Sequence, residues 1–291
     1  MLGELAALMT ALLWSGTSIA FTEASVRVGS FHVNISRLVI AFLLLIVTIL
    51  ISGFDATMSP AQIFNLGMSG FIGLVIGDTF LFKAFQYIGA RISMLIMALV
   101  PALSAILAYI FLGEVILPLQ ILGMIITIVG IAIVVLQRKD NKVKPDYRGI
   151  FYAFMGAVGQ AGGLIFAKLA FNEADLNGFV AASVRIAVSI IFIYPVFVIV
   201  NRNPNPFYKF AGDKKALLYM LTGSVIGPYL GITFSLIAIS YTQVGIASTL
   251  MATPPIIMLP MVRYYYKERI PPLSTLGAFI AVSGVALLFL V

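Results

Sequence analysis

Twelve residues of this chain recur 154 positions later without a gap, and most of them shape a backbone or carry charge. Gly73, Gly77, Thr79, Phe80, Ala84, Tyr87, Met97, Pro101, Glu114, Pro118, Gly123 and Gly130 fall on Gly227, Gly231, Thr233, Phe234, Ala238, Tyr241, Met251, Pro255, Glu268, Pro272, Gly277 and Gly284. Two unrelated apolar runs would match Leu to Leu by chance, not Pro to Pro and Glu to Glu. A fixed-period repeat fixes the architecture before local propensity does.

Composition names the solvent. The 291 residues are 61% hydrophobic and 10% charged, whereas a soluble domain carries roughly 25% charged residues. That leaves too little polar surface to face water. Ten apolar runs reach bilayer-spanning length, at about 3–22, 32–52, 63–88, 92–112, 117–137, 149–171, 178–200, 215–240, 244–266 and 272–291. Each is expected to be a helix, because a backbone in lipid must satisfy its own N–H and C=O groups. A barrel would need alternating ten-residue segments instead. Met1 leads almost at once into the first span, with Glu4 and no basic leader, so no cleavable signal is expected. Cysteine is absent and His32 is the single histidine, so neither a metal site nor any other cofactor is expected.

The breaks fall at turn-forming residues. Gly53 to Pro60 closes the second span, Tyr87 to Arg91 makes a tight turn, and Pro118 and Pro272 sit where a helix's first turn tolerates a missing N–H. The densely charged linker 138–148 divides a first repeat, 1–137, from a second, 149–291. Five spans per repeat is odd, so the second repeat must enter the membrane from the opposite side. The expected fold class is therefore an all-α membrane protein of ten transmembrane helices, in two inverted five-helix repeats about a pseudo-two-fold axis. Many secondary transporters are built this way. The first two spans of each half align as well: Gly3 with Gly149, Gly16 with Gly162, Arg37 with Arg185.

Net charge is +7, and its distribution speaks for membrane orientation rather than nucleic acid. Linkers on one side hold Arg27, Arg91, Arg138, Lys139, Lys142, Lys144, Arg148, Arg202, Lys209, Lys214, Lys215, Arg263, Lys267 and Arg269; those on the other hold no Lys or Arg. The positive-inside rule puts the basic side, including linker 138–148, in the cytoplasm and both termini outside. The expected location is the cytoplasmic membrane, crossed many times.

One pattern is Ala84-x-x-Tyr87-x-Gly89-Ala90, then Pro101, Leu112-Gly113-Glu114, Gly123 and Gly130. A second is Ala238-x-x-Tyr241, Pro255, Lys267-Glu268-Arg269, Gly277 and Gly284, and the first two spans carry Trp14-Ser15-Gly16 and Arg37. Together they resemble the drug/metabolite transporter superfamily, in its ten-span EamA-type branch, over nearly the whole chain. The resemblance implies a secondary transporter, often an exporter of amino acids or other small metabolites. Two features depart from it. Ten-span relatives usually keep both termini in the cytoplasm, and Thr242-Gln243-Val244-Gly245 replaces the Gly-Ala turn in the second copy.

Several residues are candidates for a substrate cavity. Pro101 and Pro255 lie near the middle of spans four and nine, each four residues after Met97 and Met251, and Thr253-Pro254 precedes the second. A mid-helix proline removes a hydrogen bond and kinks the helix. At matched positions such kinks either shape a midplane cavity and act as hinges, at Pro101, Pro254 and Pro255, or serve packing alone. Asp78 and Lys83 lie inside span three, where an ionised group should face the interior. Lys83 stacks with Thr79 and Tyr87 at helical spacing, and Thr233 and Tyr241 repeat the ends of that stripe. Lys83 is open to two readings, a partner for a substrate carboxylate or a lysine snorkelling to the interface. Asp78 is open to three: a substrate amine, a coupling proton, or a bridge to Lys168.

In span six, Gly156, Gly159 and Gly163 form a small-residue face suited to close helix contact. Gln160 aligns with Trp14, which shares a face with Thr17, so both repeats place a candidate wall in their first span. Arg37 and Arg185 are expected to snorkel, and Glu114 and Glu268 to fix turns. The seven-residue spacing of Gly123, Gly130, Gly277 and Gly284 suits packing of span five on span ten, or a dimer contact.

The leading expectation is a secondary transporter that exports a small polar metabolite such as an amino acid by alternating access. No phosphate-binding loop is present, so ATP cannot drive it directly. Expected partners are a small-molecule substrate, the lipid bilayer and a coupling proton, with no nucleic acid; monomer and homodimer are both open. Alternatives within transport are a proton-coupled cationic drug antiporter and a lipid-linked sugar flippase. A non-transporting membrane scaffold is the reading from a different class. An enzyme fits poorly, since no nucleophile–base pair or converging acids are evident.

Overall fold

The structure, a computed structural model, describes residues 2–112, 117–136, 146–241, 247, 250–267 and 270–287. The described residues form helices and short connections. In the first half these are α1 (Leu2–Val28), α2 (Ser30–Ser52), α3 (Pro60–Gly70), a π-helical segment (Phe71–Gly77), α4 (Asp78–Met97), α5 (Val100–Leu112) and α6 (Pro118–Leu136). In the second they are α7 (Tyr147–Glu173), α8 (Gly178–Asn201), a 3₁₀ turn (Tyr208–Phe210), α9 (Lys214–Ser224), a π-helical segment (Val225–Gly231), α10 (Ile232–Tyr241), α11 (Pro254–Tyr265) and α12 (Pro272–Leu287). Among the described residues, six helical stretches are long and apolar enough to cross a bilayer, and Val100–Phe111, Pro118–Val134 and Pro272–Leu287 are shorter apolar helices. Glu114, Glu268, most of linker 138–148 and the Thr242–Gly245 segment lie outside the described residues.

Local chemistry explains the ends. Gly53 caps α2 with φ 61°, returning its N–H to the Ile49 carbonyl. Ser59 and Gln62 form a reciprocal capping box at α3, with Pro60 in the first turn. The tight turn expected at 87–91 is made by Gly89 (φ 72°, ψ 173°), a conformation that favours glycine and splits α4 into the end of one span and the start of the next.

Repeat geometry follows the repeat in sequence. The π segments occupy 71–77 and 225–231, again 154 apart. A π turn inserts an extra residue into the helix and frequently marks a functional site. The mid-span breaks also match: helix is lost at Ala98 and Leu99, and again at Ala252 and Thr253. Across the two halves contacts are exchanged. Helix α1 lies against α9, the second π segment and α10, while α7 lies against α3, the first π segment and α4. Helices α2 and α8 pair with each other, as do α6 and α12. These exchanges are those of a two-fold arrangement of five-helix repeats.

The glycines of α6 and α12 allow backbone contact. A Cβ at Gly277 would sit 2.9 Å from the Gly130 carbonyl, and one at Gly284 would sit 2.6 Å from the Gly123 carbonyl. Thr127 adds a hydrogen bond across the pair, 3.3 Å to the Ala281 carbonyl. Lipid gives apolar helices no hydrophobic reason to associate, so this close fit holds spans five and ten together.

Candidate functional site

A cavity of about 150 Å³ lies between the repeats. It is bounded by α1, α2, the π segments, the start of α4, both broken spans, α7, α8 and α10.

Asp78 follows directly on the first π segment and is 5% exposed. Its Oδ2 accepts a charge-assisted hydrogen bond from Arg37 Nη2. Its Oδ1 accepts one from Gln160 Nε2 at 2.5 Å, and that amide also donates to the Gly73 carbonyl at 3.2 Å. Arg37 is held further by Asn34, whose Oδ1 accepts from Nε at 3.1 Å and Nη2 at 2.9 Å. Asn34 in turn donates to the Leu74 carbonyl and to Thr79 Oγ1. The guanidinium lies over the Phe82 ring, 4.6 Å from its centroid, and 5.7 Å from that of Phe21.

Arg185 reaches the same cavity from α8 and is 5% exposed. Its Nε is buried without a hydrogen-bond partner, and its charge interacts with Asp78. Gly73 lies beside it: a Cβ there would be in ordinary van der Waals contact with Arg185 Nη2 at 3.6 Å and Gln160 Oε1 at 3.7 Å. The expectation that Arg37 and Arg185 snorkel is therefore corrected. Each lies seven residues or so into its helix, and a buried carboxylate at the repeat interface attracts both inward.

Eight of the fifteen candidate wall residues border the cavity: Trp14, Thr17, Asp78, Met97, Pro101, Gln160, Met251 and Pro255. Pro254, named as a hinge, borders it too. Thr17 also ties α1 to α9 by donating to the Gly223 carbonyl at 3.1 Å. Pro101 and Pro255 have no N–H to give the carbonyls of Met97 and Met251, which explains why the helices open there.

The other seven stand off the wall. Thr79 bonds to Asn34 and to the Val75 carbonyl behind it. Lys83 is exposed, with Nζ 5.9 Å from the Tyr152 ring centroid, so a place in the cavity wall is corrected for this residue. Tyr87 packs its ring 5.6 Å from the same Tyr152. Thr233 and Thr253 bond to their own helices, at Tyr229 and Leu250. Tyr241 is 68% exposed, and Lys168 is half-buried away from the wall. The expected bridge from Asp78 to Lys168 is corrected to one from Asp78 to Arg37. The lysine lies two turns beyond Gln160, past the depth of the carboxylate.

The small face of α7 packs as expected, with Gly159 against Gly77 and Gly163 against Gly73. That contact brings Gln160 to Asp78. Wall residues that the sequence left unmarked include Ser18, Phe21, Phe82 and Ser235. Arg37 and Arg185 carried a usable signal: charges matched between repeats at equal depth.

A family model described as the EamA-like transporter family matches residues 1–136 and again 147–290. A solved structure, described only as the crystal structure of a protein, is similar with a TM-score of 0.70 at 16% identity, over 98% of this chain and 95% of that one. No curated protein matches the sequence. Matched twice over almost its full length, this multi-pass membrane protein belongs to the EamA-like transporter family.

Proposed function

We propose that the chain is a secondary transporter that exports a small polar metabolite of amino-acid size by alternating access. The observation that carries this reading is the pair of matched mid-span breaks, at 98–99 and 252–253, facing one charged cavity between the repeats. Broken helices expose backbone and supply flexible points where one bundle can rock against the other. A purely structural scaffold has no use for two buried guanidinia around one carboxylate in an open cavity. The volume of about 150 Å³ is below the range of drug-sized pockets, about 300–1,000 Å³. Asp78 is already ion-paired with Arg37 and bonded to Gln160, so an organic cation would have to compete with Arg37 for it.

In this proposal the cytoplasmic membrane houses the protein, the basic linkers face the cytoplasm, and a proton or substrate gradient supplies energy. Repeat boundaries near 137 and 149 belong to the same proposal. Purified protein in liposomes, screened with labelled amino acids and other small metabolites across imposed pH gradients, tests it. Saturable, gradient-dependent flux of a small polar solute is the expected result. Flux of bulky organic cations or of lipid-linked sugars alone would replace it with an antiporter or flippase.

A further inference from the structure

The cavity holds two arginines and one aspartate, a formal charge of +1. Its two arginines are not equivalent. Arg37 is bonded through Nε and Nη2 to Asn34 and Asp78 and lies over the Phe82 face. Arg185, at 5% exposure, has a buried Nε that bonds to nothing. A buried donor left unmet is costly, and an ionised group at this depth is normally paired. The carboxylate between the arginines bonds to Arg37 through Oδ2 and to Gln160 through Oδ1, and makes no hydrogen bond with Arg185.

We propose that Arg185 anchors the carboxylate of the transported molecule, and that the substrate is a small organic acid with an apolar body. A planar guanidinium matches a carboxylate with two parallel hydrogen bonds. One such anion brings the cavity to neutrality. The rest of the wall suits an apolar body: Trp14, Phe21, Phe85, Met94, Met97 and Met251 all face the space. Methionine and aromatic side chains adapt to varied apolar shapes. The anchor thus lies on α8, not at Lys83. This proposal rests on the transport reading above and adds its chemical selectivity.

The chain has one tryptophan, Trp14, and it lines the cavity, so its fluorescence reports occupancy directly. The full chain in lipid nanodiscs is titrated with 4-methyl-2-oxopentanoate, its amide, isopentylamine and isopentyl phosphate. Wild type is expected to respond saturably to the keto acid and not to the amide or amine. Arg185→Lys should weaken that response by about tenfold or more, the scale of a charge-assisted contact; Arg185→Gln should remove it. If Arg185→Gln does not fold, the acid-against-amide comparison in wild type decides alone. Equal response to amide or amine, response to isopentyl phosphate with the acid silent, or an unchanged response in folded Arg185→Gln overturns the anchor. Silence of all four compounds in a protein that transports another metabolite also overturns it, while leaving the transport reading intact.

Discussion

Arg37 and Arg185 reach the same carboxylate from opposite repeats, and only Arg37 is bonded to it. Removing one partner of a buried ion pair leaves an uncompensated charge and costs about 3–5 kcal/mol. Asp78→Asn and Arg37→Gln are therefore each expected to lower the thermal unfolding temperature in detergent, and Arg37→Met combined with Asp78→Leu should recover only part of the loss, because Arg185 then keeps a buried charge without the carboxylate. Lys83→Ala changes an exposed side chain and should stay within about 0.5 kcal/mol of wild type. Circular dichroism melts check all four.

Proline sits at matched breaks, Pro101 and Pro255, and also at Pro195 within the continuous helix α8. An interior proline is disfavoured by about 3 kcal/mol relative to alanine. If the matched breaks serve motion, Pro101→Ala and Pro255→Ala should preserve or raise thermal stability while slowing transport. Pro195→Ala should leave the rate near wild type. Initial rates in proteoliposomes, set beside melting curves, separate the two effects.

The contact of α6 with α12 tolerates no side-chain atom at Gly130, Gly277 or Gly284. A Cβ at Gly277 would lie 2.7 Å from Val134 Cγ2 and 2.9 Å from a carbonyl oxygen. Gly277→Val is expected to destabilise by about 1–3 kcal/mol, the usual cost of overpacking. Ser283→Val, in the same helix and away from that contact, should cost far less. Yield of monodisperse protein and its unfolding midpoint read the difference.

Outside the membrane, Asp213 caps α9 by accepting from the Lys215 and Ala216 N–H groups at 3.0 Å, and bonds to Arg27 at 3.2 Å. The Ala216 N–H in particular, with Arg27, holds its carboxyl below the ordinary carboxylate value. Stabilisation from such a group is present above the unfolded-state value, about 3.9, and fades as pH falls through the lower native one. The melting-temperature gap between wild type and Asp213→Ala should be full at neutral pH and close in acid. It should also narrow with salt, since the pair with Arg27 is exposed.

Much of this architecture was legible because the repeat falls on residues with few substitutes. Gly89, Pro101, Pro255 and the α6–α12 glycines each do in the structure what their type requires. The π segments were hidden: the first, Phe71–Gly77, contains no proline, and its extra residue is set by packing on α7. Charge was misread for the same reason. Depth along a span located Arg37 and Arg185, but their direction depends on Asp78, Asn34 and Gln160, which come from three different helices. Lys83 shares a helix with Asp78 yet points to Tyr152, since five residues turn it well away from the carboxylate.

The most direct test of a cavity exposed in turn to both sides uses the chain's lack of cysteine. Ser18 borders the cavity on α1 and Ser235 borders it on α10. Single Ser18→Cys and Ser235→Cys proteins, oriented in liposomes, are treated with a membrane-impermeant thiol reagent from one side and then from the other. Each cysteine is expected to label from both sides, and a transported substrate should slow both reactions. A cysteine reached from one side only, or from neither while transport continues, would contradict alternating access at this cavity.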